Sequence, residues 1–286
     1  MSERRASRTA VLVCQGRAAA HERLAPHLFT DPTAYALLRP EERSPVDQVR
    51  AGVAPDGWRP RMAYERVRAC AEGMVPRTIA IDEAVLEVGA AQVVILGAGL
   101  DGRAWRMPSL GKVYEVDHPA SQRDKRERCR ALPGRAPVYV PVDLAHDDLG
   151  PALGAAGHRP SLPTTWVWEG VIPYLRRDAV VATMGMITKA SGPGSRLVLN
   201  YQSPSLRARV GRLVVGVLSA VTGERDPLAD EPWRSLWTRD ELGAVAERGG
   251  FLVARDDDLL SIARERGLRV RATTSLETGR VLVADM

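Results

Sequence analysis

A glycine-rich turn and two carboxylates placed beyond it are the residues whose types and spacing could do chemistry in this chain. The turn, Gly97-Ala98-Gly99, directly follows Gln92-Val93-Val94-Ile95-Leu96. An apolar, largely β-branched run ending in glycines reads as a buried parallel strand handing over to a helix. Lacking a Cβ, Gly97 and Gly99 let the backbone bend sharply and let a ligand come close to its amides. About twenty residues later Val113-Tyr114-Glu115-Val116-Asp117 reads as a second strand ending in a carboxylate, where an acid can accept hydrogen bonds from ribose hydroxyls. The pairing points to a nucleoside cofactor. Gly102 completes a formal G-x-G-x-x-G, which nominally indicates a dinucleotide.

The second carboxylate is Glu169. Trp166, Val167 and Trp168 read as a buried strand with Glu169-Gly170 at its carboxyl end. Ligands of open α/β sheets bind beyond those ends, which puts Glu169 at the pocket of the glycine turn. Its structural alternative is the start of a helix. Ser195 to Tyr201 reads as a fifth strand, so Asn200, Tyr201 and Gln202 emerge at the same sheet edge as substrate-side donors. Glu169 and Tyr201 are the candidates for catalysis.

The elements that must position these groups alternate between strands and helices, which predicts a single α/β domain over residues 1–286. Residues 1–75 read as a helical cap with helices at Ser7–Leu24, Asp31–Leu38 and Pro60–Val75, and a further helix ends near Gly89. Pro108 cuts short the helix after the glycine turn, where Arg103 and Arg106 could share one face for a ligand anion or for surface ion pairs. A third strand and its exit are expected over Pro137–Leu144, a helix at Asp178–Ser191, and a capping box at Thr238–Glu241 opening a helix to Gly249. Strands at Leu252–Ala254 and Arg280–Val283 flank a helix near Leu259–Arg266. Residues 203–237 read as an inserted helical lid, whose apolar side from Val210 to Val221 could be core, dimer contact or substrate wall; a homodimer therefore stays open.

With 45% hydrophobic residues in 286, the chain can bury a sizeable core. Its net charge of +5 comes almost wholly from arginine. Arg123, Lys125, Arg126, Arg128 and Arg130 alternate with Asp124 and Glu127, which indicates a solvated helix and not a nucleic-acid patch. Cys14, Cys70 and Cys129 lack the spacing of a disulfide framework or a zinc site, so no metal is expected and a reducing cytoplasm fits. Gln15, Gly16 and Arg17 interrupt the apolar run from Thr9 before a signal-peptide core forms, and no stretch has membrane-spanning length.

Leu96-Gly97-Ala98-Gly99-Leu100-Asp101-Gly102-Arg103-Ala104-Trp105-Arg106, followed by Glu115-Val116-Asp117-His118-Pro119, resembles the leucine carboxyl methyltransferase family, in particular its bacterial polyketide branch of the tetracenomycin kind. Glu169-Gly170-Val171-Ile172-Pro173-Tyr174-Leu175 extends the likeness, and Gly102 departs from it where the family often has threonine. The resemblance implies a Rossmann-like class I fold: a seven-stranded, mostly parallel sheet with helices on both faces and an antiparallel final strand. It implies S-adenosylmethionine (SAM) as cofactor, held by Arg77 at the methionine carboxylate, by Gly97, Ala98, Gly99, Asp117 and His118, by Asp143 and Leu144 at the adenine, and by Glu169. His118 then belongs to the ribose-end turn and not to catalysis. Asp82 reads as structural. The implied reaction is O-methylation of a carboxylate or hydroxyl of a small molecule in polyketide-like secondary metabolism, with neither nucleic acid nor membrane as partner. Two other readings share the site: a nicotinamide-dependent oxidoreductase, for which Gly102 is the best argument, and a SAM-binding protein of the same fold that transfers no methyl group.

Overall fold

The computed structural model describes residues 7–144, 146–205 and 233–286. Seven strands form one sheet: β1 (Gln92–Leu96), β2 (Lys112–Asp117), β3 (Val138–Pro141), β4 (Thr164–Trp168), β5 (Arg196–Gln202), β6 (Leu252–Asp258) and β7 (Gly279–Asp285). Their order is β3-β2-β1-β4-β5-β7-β6, parallel except for β7, which runs antiparallel to both neighbours. Winding proceeds outward from β1 in one direction through β2 and β3, then restarts at β4 on the other side. The carboxyl ends of β1 and β4 thus flank a switch point, the place where such sheets bind ligands.

Successive side chains of a strand point to opposite faces, and the two cores follow that period. Val94, Leu96, Trp166, Trp168, Leu197 and Leu199 face one way, onto α6 (Leu149–Ala155), α7 (Arg177–Lys189) and α8 (Arg239–Arg248). Val93, Ile95, Val167 and Val198 face the other, onto α3 (Trp58–Val88), α9 (Leu259–Glu265) and α10 (Thr274–Thr278). All five residues of β1 and of β4 are buried, as strands covered on both faces require. Thr238 and Glu241 form the expected reciprocal capping box of α8.

The N-terminal region departs from expectation. α1 spans Arg8–Ala20 and stops short of Leu24, because the chain leaves the helix at His21 and takes left-handed backbone at Glu22 and Ala25. Residues 31–38 form successive turns in place of a helix; the Asp31 carboxylate accepts the backbone N–H groups of Thr33 and Ala34, an alternative to helical hydrogen bonding. α2 (Pro40–Ala51) was not foreseen, since it is strongly polar, contains Pro45 and buries only Val46. The two helices expected on either side of Pro76 are one helix, α3. Proline removes one helical bond, at a cost of about 3 kcal/mol, and the long buried face of α3 on both sides outweighs it.

α4 (Arg103–Arg106) is the brief helix after the glycine turn, and α5 (Pro119–Arg128) carries the basic cluster. α5 is not simply solvated. Lys125 is 1% exposed and pairs with Glu115 at 2.6 Å, and Arg128 pairs with Glu42 and Asp124. The helix expected at Val210–Val221 and the loop after it lie outside the described residues.

Gly102 has a packing reason. A Cβ built on it would lie 2.0 Å from Thr33 Oγ1 and 3.4 Å from Asp31 Oδ1. The Asp31–Thr33 turn therefore packs directly on the backbone at the start of α4. We expect Gly102→Ala to destabilise the fold by about 1–3 kcal/mol, and Thr33→Ala to recover part of that loss in the double variant. Urea unfolding of the four proteins measures the coupling; strictly additive losses would contradict this packing.

Candidate active site

At the switch point lies a cavity of about 380 Å³. Gly97, Ala98, Gly99, Leu100 and Asp101 form one wall, Asp117 and Ser121 one end, Glu169, Gly170, Val171 and Tyr174 the opposite wall, and Arg17 and Arg77 also line it. Ser7, Thr9, Ala10 and Val13 roof it from α1 and its cap. Gly97 has φ +63°, and a Cβ there would fall 2.3 Å from Val171 Cγ2. Gly99 has φ +47°, with Ala10 Cβ 3.2 Å from where its Cβ would be. Both glycines are thus needed for backbone conformation and for close approach of the opposite wall and the roof.

Asp117 bridges the glycine turn and the start of α5. Its Oδ2 accepts Gly99 N–H at 2.6 Å and its Oδ1 accepts His118 N–H at 2.7 Å. Burial raises its pKa, against the opposing effect of those two donors. Each oxygen keeps lone-pair capacity for a further donor, as a ribose-binding carboxylate needs. His118 caps α5, its Nδ1 accepting Ala120 N–H at 3.2 Å. Asp143 lies just outside the cavity lining, its Oδ2 4.0 Å from His118 Nε2 and 3.1 Å from His146 Nδ1. Val142 N–H donates to Asp117 O at 2.9 Å, which holds the ends of β2 and β3 side by side. Leu144 packs, half-buried, against the main core.

Beneath the other half of the cavity lies a buried chain of ions. Arg17 pairs with Asp31 at 3.2 Å, and Arg106 approaches the same Asp31 oxygen at 3.8 Å. Arg106 also grips Asp82 with two bonds, at 2.6 and 2.9 Å, and Arg103 Nε meets Asp82 at 2.7 Å. Arg103 Nη1 reaches both Asp101 and Glu169, the latter at 2.8 Å, and Arg77 Nη2 meets Glu169 Oε1 at 2.7 Å. Four arginines thus face four carboxylates. The contact of Arg77 with Glu169 is close but too poorly angled to count as a hydrogen bond, and Arg77 Nε and Arg103 Nη2 lack hydrogen-bond partners among the described residues.

Burial would push the Glu169 carboxyl up, but Arg77 and Arg103 outweigh it and hold its pKa at about 2. Asp101 is likewise held below the usual carboxylate range: burial opposes, and Arg103 and Arg17 prevail.

The structure therefore brings Arg77, Gly97, Ala98, Gly99, Asp117 and Glu169 to one cavity and sets His118 and Asp143 beside its Asp117 end, while Leu144 packs against the main core. Tyr201 sits elsewhere. Fully buried, it donates to Asp256 Oδ2 at 2.7 Å and accepts from Arg280 Nε at 3.1 Å, tying β5, β6 and β7 together. Burial and Asp256 raise its pKa, which suits a structural phenol. Arg103 and Arg106 are buried and not surface ion pairs, and Asp82, expected to be structural, is their shared anchor. Gly102 faces Thr33 and not the cavity, so the third glycine of the formal fingerprint has no ligand to explain. Sequence reasoning missed Arg17, Asp31 and Asp101; Arg17 as the one charged residue between Thr9 and Ala20, in a run otherwise small or uncharged, was the available signal. Among the described residues no cluster of His, Cys, Asp or Glu could hold a metal, and no helix is long and apolar enough to cross a membrane.

Glu169→Gln would leave two buried guanidinium groups short of a counter-charge, and we expect a loss of about 3–5 kcal/mol in denaturant melts. The depressed pKa also fixes the sign with pH. The stabilisation from Glu169 is full above its unfolded value of 4.5 and is lost as pH falls toward about 2. Acid titration should therefore show a shallower stability loss between those limits in Glu169→Gln than in the parent; equal slopes would contradict the pairing.

Comparison with known proteins agrees with this geometry. Residues 10–188 match the leucine carboxyl methyltransferase family model. A "Putative S-adenosyl-L-methionine-dependent methyltransferase" of Mycolicibacterium gilvum is 37% identical over 201 residues, covering 68% of this chain and 65% of its own length. A protein of the same description from Streptomyces coelicolor is 35% identical, covering 84% of this chain and 81% of its own. The crystal structure of a "putative methyltransferase" from Thermobifida fusca shares the fold at 17% identity, with a TM-score of 0.53 over 87% of this chain and 91% of that one. The seven-stranded, singly antiparallel sheet, the glycine turn closed by Asp117 and these matches converge: this chain belongs to the leucine carboxyl methyltransferase family, whose fold is that of the class I SAM-dependent methyltransferases.

Proposed function

We propose that the chain is a SAM-dependent O-methyltransferase acting on a small molecule, and that a carboxylate oxygen is the favoured acceptor over a hydroxyl. The cavity residues fit the cofactor. Asp117 is set to accept the ribose hydroxyls and Asp143 lies toward an adenine site beside it. Arg77, with its Nε unpaired, and Arg17 supply guanidinium groups for a carboxylate at the other end. SAM, when bound, supplies an activated methyl group on a sulfonium.

The observation that carries the acceptor reading is the state of Glu169. A general base works best with a pKa near the operating pH, and Glu169 is held at about 2 between two arginines. Its role is to fix Arg77 and Arg103 and not to remove a proton. Asp101 is equally committed to Arg103, and Asp117 to Gly99 and His118. No histidine lines the cavity among the described residues. A carboxylate acceptor is already ionised at neutral pH and needs no base, so positioning by the cavity walls is the contribution left to the protein.

Calorimetry should detect binding of both SAM and S-adenosylhomocysteine (SAH), and Asp117→Asn should weaken each by about 1–3 kcal/mol. With SAM and a panel of carboxylic acids and phenols, mass spectrometry should find SAH formed with an acid, at a kcat that stays flat from about pH 6 to 9 because the nucleophile is already ionised. No heat with either ligand would overturn the cofactor reading. Turnover of phenols alone, rising with pH, would overturn the carboxylate reading.

A further inference from the structure

One cation at the cavity has no part in holding the cofactor as described above. Arg234 is exposed and lines the cavity beside Val171 and Tyr174. Its two arginine neighbours in that lining pair with carboxylates, Arg17 with Asp31 and Arg77 with Glu169, and their remaining donors are the ones assigned above to the carboxylate end of the cofactor. The cavity acids are engaged as well, Asp101 and Glu169 with Arg103, and Asp117 with backbone N–H groups. Among the described residues, none pairs with the Arg234 guanidinium.

Its backbone, by contrast, is firmly placed. Arg234 N–H donates to Pro173 O at 2.7 Å and Ser235 N–H to the same oxygen at 3.2 Å. Ser235 Oγ donates to Ile172 O at 3.1 Å and in turn accepts Trp237 Nε1–H at 3.1 Å, with both Ser235 and Trp237 buried. Trp237 N–H donates to Gln202 O at 3.1 Å. The stretch 234–237 is thereby pinned to the turn that follows Glu169-Gly170 on one side and to the end of β5 on the other. A long, flexible cation is tethered at a fixed point on the rim of a pocket whose other charged groups are already engaged.

We propose that Arg234 is the acceptor-anchoring residue and that it selects small acceptors carrying a carboxylate. A planar guanidinium with free donors binds a carboxylate bidentately and tells it from a neutral isostere. Val13, Val171 and Tyr174 supply apolar surface for the body of such a molecule. The inference rests on the methyltransferase reading, because it takes the space next to Arg234 as the acceptor side of the cofactor site.

The test uses the full chain saturated with SAH, titrated by calorimetry with 2-naphthoate and with its neutral isostere 2-naphthamide. Both have a flat apolar body and differ in charge. We expect naphthoate to bind the parent about tenfold more tightly than naphthamide, the scale of a charge-assisted hydrogen bond. Arg234→Gln should abolish that difference, Arg234→Lys should keep part of it, and SAH affinity should be equal in all three proteins, which also reports that the variants are folded. A naphthoate preference that survives in Arg234→Gln, or no preference for naphthoate in the parent, overturns the assignment. Failure of the parent to bind SAH would instead overturn the cofactor reading on which it stands.

Discussion

Glu169 lying between Arg77 and Arg103 is the interaction on which the rest of the site depends. Through it the end of β4 is joined to α3 and to α4, and through Asp82, Asp101, Arg106, Asp31 and Arg17 the same chain of charges reaches the glycine turn, the turns before α2, and α1. Buried ion pairs are costly to desolvate, and apolar packing often serves stability as well. What this set provides is position. Each guanidinium has a fixed geometry and meets carboxylates on different elements, so the walls of the cavity cannot shift without breaking a buried pair. Four positive and four negative groups also leave the floor near neutrality. An added anion, such as the carboxylate end of a cofactor, then meets arginine donors that still have capacity.

The same arrangement bears on chemistry. Two arginines beside one glutamate hold it ionised and occupied, which removes the obvious base from the pocket. An enzyme built this way accelerates its reaction by placement of partners that are reactive already. An ionised acceptor suits it, and so does Arg234 at the rim, whose guanidinium has no partner among the described residues.

The sheet was legible because its signals are local. Apolar runs ending in glycine or in an acid mark the carboxyl ends of β1, β2 and β4, and those ends converge at a switch point by topology alone; Gly97, Gly99, Asp117 and Glu169 follow from it. Arg17 and Asp31 were not legible, because their roles exist only once α1 and the turns before α2 fold over the glycine loop. Tyr201 shows the opposite error. It lies on the expected strand, but its side chain points into the Asp256–Arg280 pair, and alternation along a strand cannot reveal what waits on each face. Gly102 looked like part of a ligand fingerprint and is a packing glycine against Thr33, a contact between segments about seventy residues apart that no local pattern encodes.

The most direct test of the account is a crystal structure of the chain with SAH. The account predicts the ribose hydroxyls on Asp117, the amino-acid carboxylate within hydrogen-bonding distance of Arg77 or Arg17, and Glu169 still bridging Arg77 and Arg103. SAH seated with its ribose away from Asp117, or Glu169 released from both arginines to contact the ligand, would contradict it.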